Sequence, residues 1–590
     1  MFSESSSQSS LFEIERLCPG VLPKDDWSYT YQTKVLPLID EKKFRHLYSK
    51  DAGRPNASIR TMVSLLIFMG MEKLSWRAVE FQFARRIDWL IATHTPPGEA
   101  EIDHTTIFKF YQRLEKDATA KELFVDLTQA FIEACGTSLK KQRTDSFYIY
   151  GWLQTLSRYG LFKETIRKFL QVLRKQKPGL YEKIKGELSR DYLKKEFDLT
   201  EKDRELAQRK ISLMARDLLR LKSAFEHHKQ VGHYETFETL CQIFSQQCEV
   251  KDTVDAEVEA SSIGLPRPPE IVIKEKPDQG SICSPHNTEV RYVRKGKQRV
   301  TGDKGVVTET CDPENKTQFL TDVEVVDATC SDSKEQPHLE DRLIENGFKP
   351  EKQYEDAGFV NGQTILNAKE KGIELEGPSS GRSQSFEAYE KKDRPFDAGD
   401  FETTFDDKTK DALLYWTVHL KQLIVHKCPN DQAPQDQKRS EKTGKLLVHF
   451  DPAVCSACPY AERCPVKIGK RVATYTVDEV EVAGAARHHR YMSDESYRKE
   501  CAVRAGVEAT VSELTRAHGM RKSRHRKRSR TRLQLIFAAL ACNVKRFIRH
   551  GKQYAYLAPK VVGLALFSSA KAKYRHLRGH ILHQIACSFK

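Results

Sequence analysis

The 590-residue chain has no apolar run long enough to cross a bilayer. Its longest, such as the one around Leu535 to Cys542, falls well short of the roughly 18 residues a spanning helix needs. A helical membrane span is therefore excluded. Met1 to Ser10 is Ser-rich and acidic, without the basic start and apolar centre of a secretory signal, so a cytoplasmic location is expected. Cysteine is sparse: fourteen residues, mostly dispersed, argue against a disulfide framework in a reducing compartment and leave any cluster to metal binding. No repeat of the solenoid type is visible. Acids are nearly missing from the C-terminal end, where residues 501–590 hold only Glu508 and Glu513 against 20 Lys+Arg. The preceding 500 residues carry 77 basic and 80 acidic groups, so the net charge of +15 sits at the C-terminal end, where a polyanion would dock.

The length suits roughly two to four domains. Residues 35–135 read as compact and helical. Ile59 to Met69 is an apolar helical run followed by Gly70; Ser75 can cap a second helix from Trp76 to Arg86, with Val79, Phe83, Ile87 and Leu90 at helical spacing. A third begins at Asp103-His104-Thr105-Thr106 and runs to Leu114. Three short helices with a glycine turn fit a helix-turn-helix DNA module and equally an ordinary bundle. Phe147-Tyr148-Ile149-Tyr150 suits a strand. Residues 160–250 are charged and helical, and proline-rich 251–287 reads as a linker. Beyond it, strands are expected at Val306 to Thr310, Gln318 to Val326 and Ile373 to Leu375, and a helix from His338 to Gly347. Residues 376–490 are loop-rich; from Ser493 to about Phe547 the chain is helical again.

Four features carry chemistry. Cys428, Cys455, Cys458 and Cys464 have the spacing C-x26-C-x2-C-x5-C, which can present four thiolates to one structural zinc ion. His449 in place of one cysteine, or unmetallated thiols, are the other readings. Arg516 to Arg532 holds nine Lys/Arg in seventeen residues, a density that self-repels unless a polyanion such as nucleic acid neutralises it. Glu508 is an isolated acid in this basic end, and Arg504, four residues earlier, can pair with it. The interval 321–360, with eleven acids against four basic residues, leaves room for a divalent-cation site.

Read together, these segments resemble the DDE transposases of bacterial insertion sequences, specifically the group numbered eleven-eighty-two, related to the insertion sequence four and five families. Gly53-Arg54-Pro55, Leu74-Ser75-Trp76-Arg77 and Asp103-His104-Thr105-Thr106 are similar to the helical N-terminal domain of those enzymes. Arg143-Thr144-Asp145-Ser146 resembles the strand with the first catalytic Asp. Thr308-Glu309-Thr310-Cys311-Asp312, preceded by Gly302-Asp303-Lys304, resembles the next strand pair. Tyr354-Glu355-Asp356-Ala357-Gly358-Phe359 resembles the turn with the second Asp, and Arg504-Ala505-Gly506-Val507-Glu508 the R-x3-E helix, continued by Gly519-Met520-Arg521-Lys522-Ser523-Arg524. The chain departs from the family pattern at Cys501, Thr515, Gly302-Asp303-Lys304 and Arg524-His525-Arg526-Lys527.

The resemblance implies an α/β fold: an RNase H-like mixed-sheet core interrupted by a helical and a cysteine-rich insert, after an all-helical N-terminal domain. The implied division is 35–135 helical DNA-binding domain, 136–159 first core part, 160–287 helical insert and linker, 288–375 second core part, 376–490 cysteine-rich insert, 491–550 third core part, and 551–590 basic tail. It implies that Asp145, Asp356 and Glu508 hold two Mg²⁺ ions, or Mn²⁺, for cleavage at element ends and strand transfer into target DNA. Arg504, Arg516, Arg521, Lys522, Arg524, Arg526 and Lys304 would hold phosphates. The implied partners are the terminal inverted repeats, target DNA and a second copy of the chain, in the nucleoid. The rival reading is a domesticated, inactive DNA-binding protein; a general nuclease on the same core is the third.

Overall fold

Lys141–Tyr150 (β1) buries Gln142 and Thr144 on one face and, past a break at Asp145-Ser146, Phe147 and Ile149 on the other, so both faces of the strand are covered. It is the axis of a six-stranded mixed sheet in a computed structural model that describes residues 1–4, 12–50, 53–152, 156–194, 203–251, 270–278, 280–296, 298–383, 385–406 and 422–551. The other strands are β2 (Arg291–Lys295), β3 (Gln298–Thr310), β4 (Leu320–Asp327), β5 (Lys352–Tyr354) and β6 (Glu374–Glu376). β3 pairs antiparallel with β1, β4 and β2, whereas β5 runs parallel to β1 and β6 parallel to β5. Parallel neighbours need crossovers. The described crossovers are helices at 332–345, between β4 and β5, and at 362–370, between β5 and β6.

Ahead of the sheet lie α1 (Ile59–Glu72), α2 (Trp76–Phe83), α3 (Ile87–Ala92), α4 (His104–Leu114) and α5 (Thr119–Cys135). Ser58, Ser75 and Asp103 cap α1, α2 and α4 by accepting backbone N–H bonds. The expected glycine turn after α1 is not there: Gly70 lies inside α1, and Lys73, at φ +56°, makes the turn. A Cβ on Gly70 would stand 2.9 Å from the Phe537 carbonyl oxygen, so the glycine serves a close helix approach. The run expected from Trp76 to Arg86 is also shorter, with Ile87 and Leu90 on α3.

After β1, α6 (Arg158–Gln176), α7 (Arg204–Phe225) and α8 (Glu235–Gln247) pack around Phe162, Phe169, Leu218 and Leu240, a core of their own. The segment expected to be a linker begins with a strand, Cys248–Lys251, paired with Glu270–Ile273. α9 (Asp332–Glu345) and α10 (Gly362–Glu370) are the crossover helices. The cysteine segment forms a small four-stranded antiparallel sheet, 436–477, around Val448, Phe450 and Tyr475. Then come α11 (Glu479–Ser493), α12 (Val507–Arg516) and a last helix, α13, over 528–551. α13 unites the molecule: Leu535, Phe537 and Leu540 share one apolar core with Ile67 and Phe68 of α1 and with Val307 and Val323 of the sheet. The Phe131 and Phe547 rings stack at 4.5 Å. The expectation of a helical N-terminal region before a mixed sheet is met. The basic tail 551–590 lies outside the described residues apart from Gly551.

Candidate functional site

The register of the two central parallel strands brings the first two predicted acids together. Arg143 of β1 pairs with Tyr354 of β5. Two residues on in each strand direction stand Asp145 and Asp356, at one level of the sheet and just past the end of β5. Burial pushes the Asp145 carboxyl up to about 6, and neighbouring Asp356 and Asp332 add to the shift, against the Ser146 N–H and Arg504. Asp356 accepts the Gly358 N–H at 2.7 Å, which closes the turn. Asp332, at the start of α9, is a neighbour that sequence reasoning did not single out. A Cβ on Gly358 would lie 2.9 Å from Asp356 Oδ1 and 3.0 Å from Asp332 Oδ2. Its only sequence signal is membership of the acidic interval 321–360.

Glu508 arrives from the other side, on the first turn of α12. Arg504 lies between the carboxylates, 3.9 Å from Asp145 Oδ2 and 3.9 Å from Glu508 Oε1. Glu508 is 68% exposed and so faces solvent. The three predicted acids are not among the groups whose ligand atoms all fall within 4.8 Å of one another in the described residues.

The turn that presents Arg504 rests on a second residue missed from the sequence, Arg143. Its guanidinium donates to the Val503 carbonyl at 2.8 Å and to Glu309 Oε1 at 2.9 Å and 2.7 Å. Gly506 leaves it room, since a Cβ there would fall 1.9 Å from Arg143 Nη1. Glu309 also receives Arg546 of α13 and the Thr510 hydroxyl, so one buried carboxylate ties β3, α12 and α13 together.

The predicted phosphate contacts divide. Lys304 is buried and pairs with Asp332 at 2.9 Å, also donating to the Cys330 carbonyl. Arg524 reaches back to the Leu74 carbonyl, half-buried. Arg516, Arg521, Lys522 and Arg526 are exposed. Within the same run Arg528 pairs with Asp303 and Asp327 at 2.8 Å and 3.0 Å, Arg530 with Glu115 at 2.6 Å, and Arg532 with Glu324. The Tyr150 backbone donates to the Arg521 carbonyl and accepts the Ser523 N–H, so the run starts alongside the end of β1. A cleft of about 1140 Å³ opens beside the acids, lined by Lys304, Asp332 and Asp356 on one side and by Arg158, Arg294 and Lys295 among others.

Cys428, Cys455, Cys458 and Cys464 line one small cavity of about 20 Å³. Burial, then the three neighbouring thiols, push Cys455 up. Their sulfurs are not among the groups gathered within 4.8 Å. His449 pairs instead with Asp436, at 3.5 Å, and does not line that cavity.

A family model for a transposase DDE domain matches residues 427–548, and one for a second transposase domain matches residues 23–113. The first match contains Glu508 and the four cysteines but stops short of Asp145 and Asp356. No curated protein matches, and no solved structure does.

Proposed function

From the premise that the chain is a DDE transposase of the insertion-sequence type, we propose that it cuts DNA at the ends of its element and joins them to target DNA, with Asp145, Asp356 and Glu508 as metal ligands. The observation that carries this reading is the shared level of Asp145 and Asp356 on adjacent parallel strands, beside the Arg504 turn and the Glu508 helix. The strand order, three antiparallel strands and then two parallel ones with helical crossovers, supports an RNase H-like core. In that reading the helices of 160–287 and the sheet of 376–490 are insertions, and the chain falls in the eleven-eighty-two group.

The donor set fits hard divalent ions. Carboxylate oxygens are what Mg²⁺ and Mn²⁺ prefer, and the burial that raises Asp145, with the neighbouring acids adding to it, disfavours a bare carboxylate that a cation would neutralise. Two such ions, when bound, would stabilise the attacking and leaving oxygens of an in-line displacement at phosphorus. Asp145 is held by β1 on a buried face, Asp356 by its own turn, and Glu508 by a helix anchored through Arg143. Arg504, already between Asp145 and Glu508, is placed to draw a phosphate towards them. Arg516, Arg521, Lys522 and Arg526 offer the exposed charge to hold the DNA backbone. The small cavity among the four cysteines suits a structural zinc ion, since four protein donors leave no open position for chemistry.

The test is purified protein with Mg²⁺ or Mn²⁺ and DNA carrying the inverted repeats that flank the gene. Wild type nicks the ends, and Asp145→Asn, Asp356→Asn and Glu508→Gln each lose at least about 100-fold, the scale of removing one transition-state interaction. Equal behaviour of wild type and Asp145→Asn would remove the catalytic claim. Cleavage indifferent to the repeats would favour a general nuclease.

A further inference from the structure

Behind the helix that presents Glu508, and apart from both sites above, three unlike side chains converge. Glu513 comes from α12, His518 from the turn after it, and Cys542 from α13; their donor atoms all lie within 4.8 Å of one another. His518 and Cys542 are buried at 2% and 0% exposure. The Nδ1–H of His518 donates to the Gly70 carbonyl of α1 at 3.0 Å. A carbonyl can only accept, so this bond places a proton on Nδ1 and leaves Nε2 facing the other two side chains. Nε2 is buried and has no hydrogen-bond partner, standing 3.9 Å from Glu513 Oε1. The Cys542 thiol donates to the other oxygen of Glu513 at 3.4 Å.

A buried ring nitrogen without a hydrogen-bond partner is costly. Combined with a thiol and a carboxylate, it makes the mixed nitrogen, sulfur and oxygen set that zinc takes. A backbone carbonyl on the far ring nitrogen is what orients metal-binding histidines. The two other clusters of this kind among the described residues lack such an orphan: His489 bonds Asp397, whose partner is Arg382, and His104 bonds Glu80. We propose that Glu513, His518 and Cys542 bind one zinc ion, a site distinct from the four-cysteine cluster.

Arg546 occupies Glu513 Oε2 at 3.1 Å, which leaves Oε1 for the metal. Burial pushes the Cys542 thiol up to about 12, so loading releases one proton to solvent as sulfur becomes thiolate, and that charge offsets half of the ion's. A water would complete the shell. The ion would pin α12 to α13 and, through His518, to α1, and so fix the helix that carries Glu508. This inference does not depend on the transposition reading.

Elemental analysis of full-length protein purified without chelator tests it. Cys542→Ser and His518→Asn each carry about one zinc per chain fewer than wild type. In a Cys455→Ser/Cys458→Ser chain, chelator still lowers the melting temperature, and adding Cys542→Ser removes that shift. Wild-type zinc content in folded Cys542→Ser overturns the proposal. So does loss of all zinc on Cys455→Ser/Cys458→Ser alone, which needs no change at the new site and leaves the four-cysteine reading standing.

Discussion

Asp145 meets two demands that oppose each other. In the proposed reading its carboxylate holds a metal, while its position on a largely buried strand makes its charge unfavourable without one. Because the fold raises this carboxyl from an ordinary 3.8 to about 6, the native chain binds more protons than the unfolded chain in that window. The contribution of Asp145 to stability is therefore greatest at low pH and declines as pH rises through the window. Asp145→Asn is expected to abolish cleavage yet stabilise the metal-free protein at pH 7, by up to about 2 kcal/mol. Thermal melts with and without chelator, read beside nicking assays, check both halves. In wild type, protons compete with the metal for Asp145, so nicking should fall at low pH and the fall should move to lower pH as the Mg²⁺ concentration is raised; a profile that does not move with Mg²⁺ would contradict this.

At the scale of elements, the Arg504 turn and α12 depend on a buried network. Gly506→Ala would drive a methyl group into the Arg143 guanidinium, breaking its bond to the Val503 carbonyl. A loss of about 1–3 kcal/mol follows, the usual range for overpacking, with Arg504 displaced from Asp145. Denaturant titration measures the first effect, and DNA nicking the second. The four-cysteine sheet makes a different prediction. Its apolar centre is small, and Cys428, Cys455 and Cys464 pack against it. Chelator or Cys458→Ser should raise hydrogen exchange across 436–477 while β1 and β3 keep their protection.

At the scale of the molecule, the positive charge divides into two populations. Arg528 and Arg530, partly buried, pair with acids of the sheet and of the loop after α4, and the exposed Arg532 pairs with Glu324 of β4. Arg516, Arg521, Lys522 and Arg526 face solvent. Replacing these four by Gln should leave the melting temperature within about 2 °C, and should reduce the salt slope of DNA binding by about 0.9 for each phosphate that is no longer neutralised. Arg528→Ala should instead destabilise the fold by about 3–5 kcal/mol, since it strips a partly buried cation from Asp303 and Asp327. Filter binding at several salt concentrations and a melt separate the two classes.

Much of this was legible in the amino-acid order. Caps at Ser75 and Asp103, the strand around Phe147, the cysteine spacing and the basic C-terminal end are local features, and local chemistry determines them; Asp145 and Asp356 are singled out only by the family resemblance, and Glu508 by that resemblance together with its isolation in the basic end. The helical region before the sheet followed from patterns along the chain, and the mixed sheet from what the family resemblance implies. What the order could not disclose was partnership across long stretches of sequence. Lys304 and Arg528 look like free cations until folding sets Asp332 and Asp303 beside them. Gly70 looks like a turn until Phe537 packs against it. Asp332, Arg143 and the Glu513, His518 and Cys542 cluster come into view the same way. Burial and pairing depend on which surfaces meet, and a chain decides that only when its separate elements close on one core.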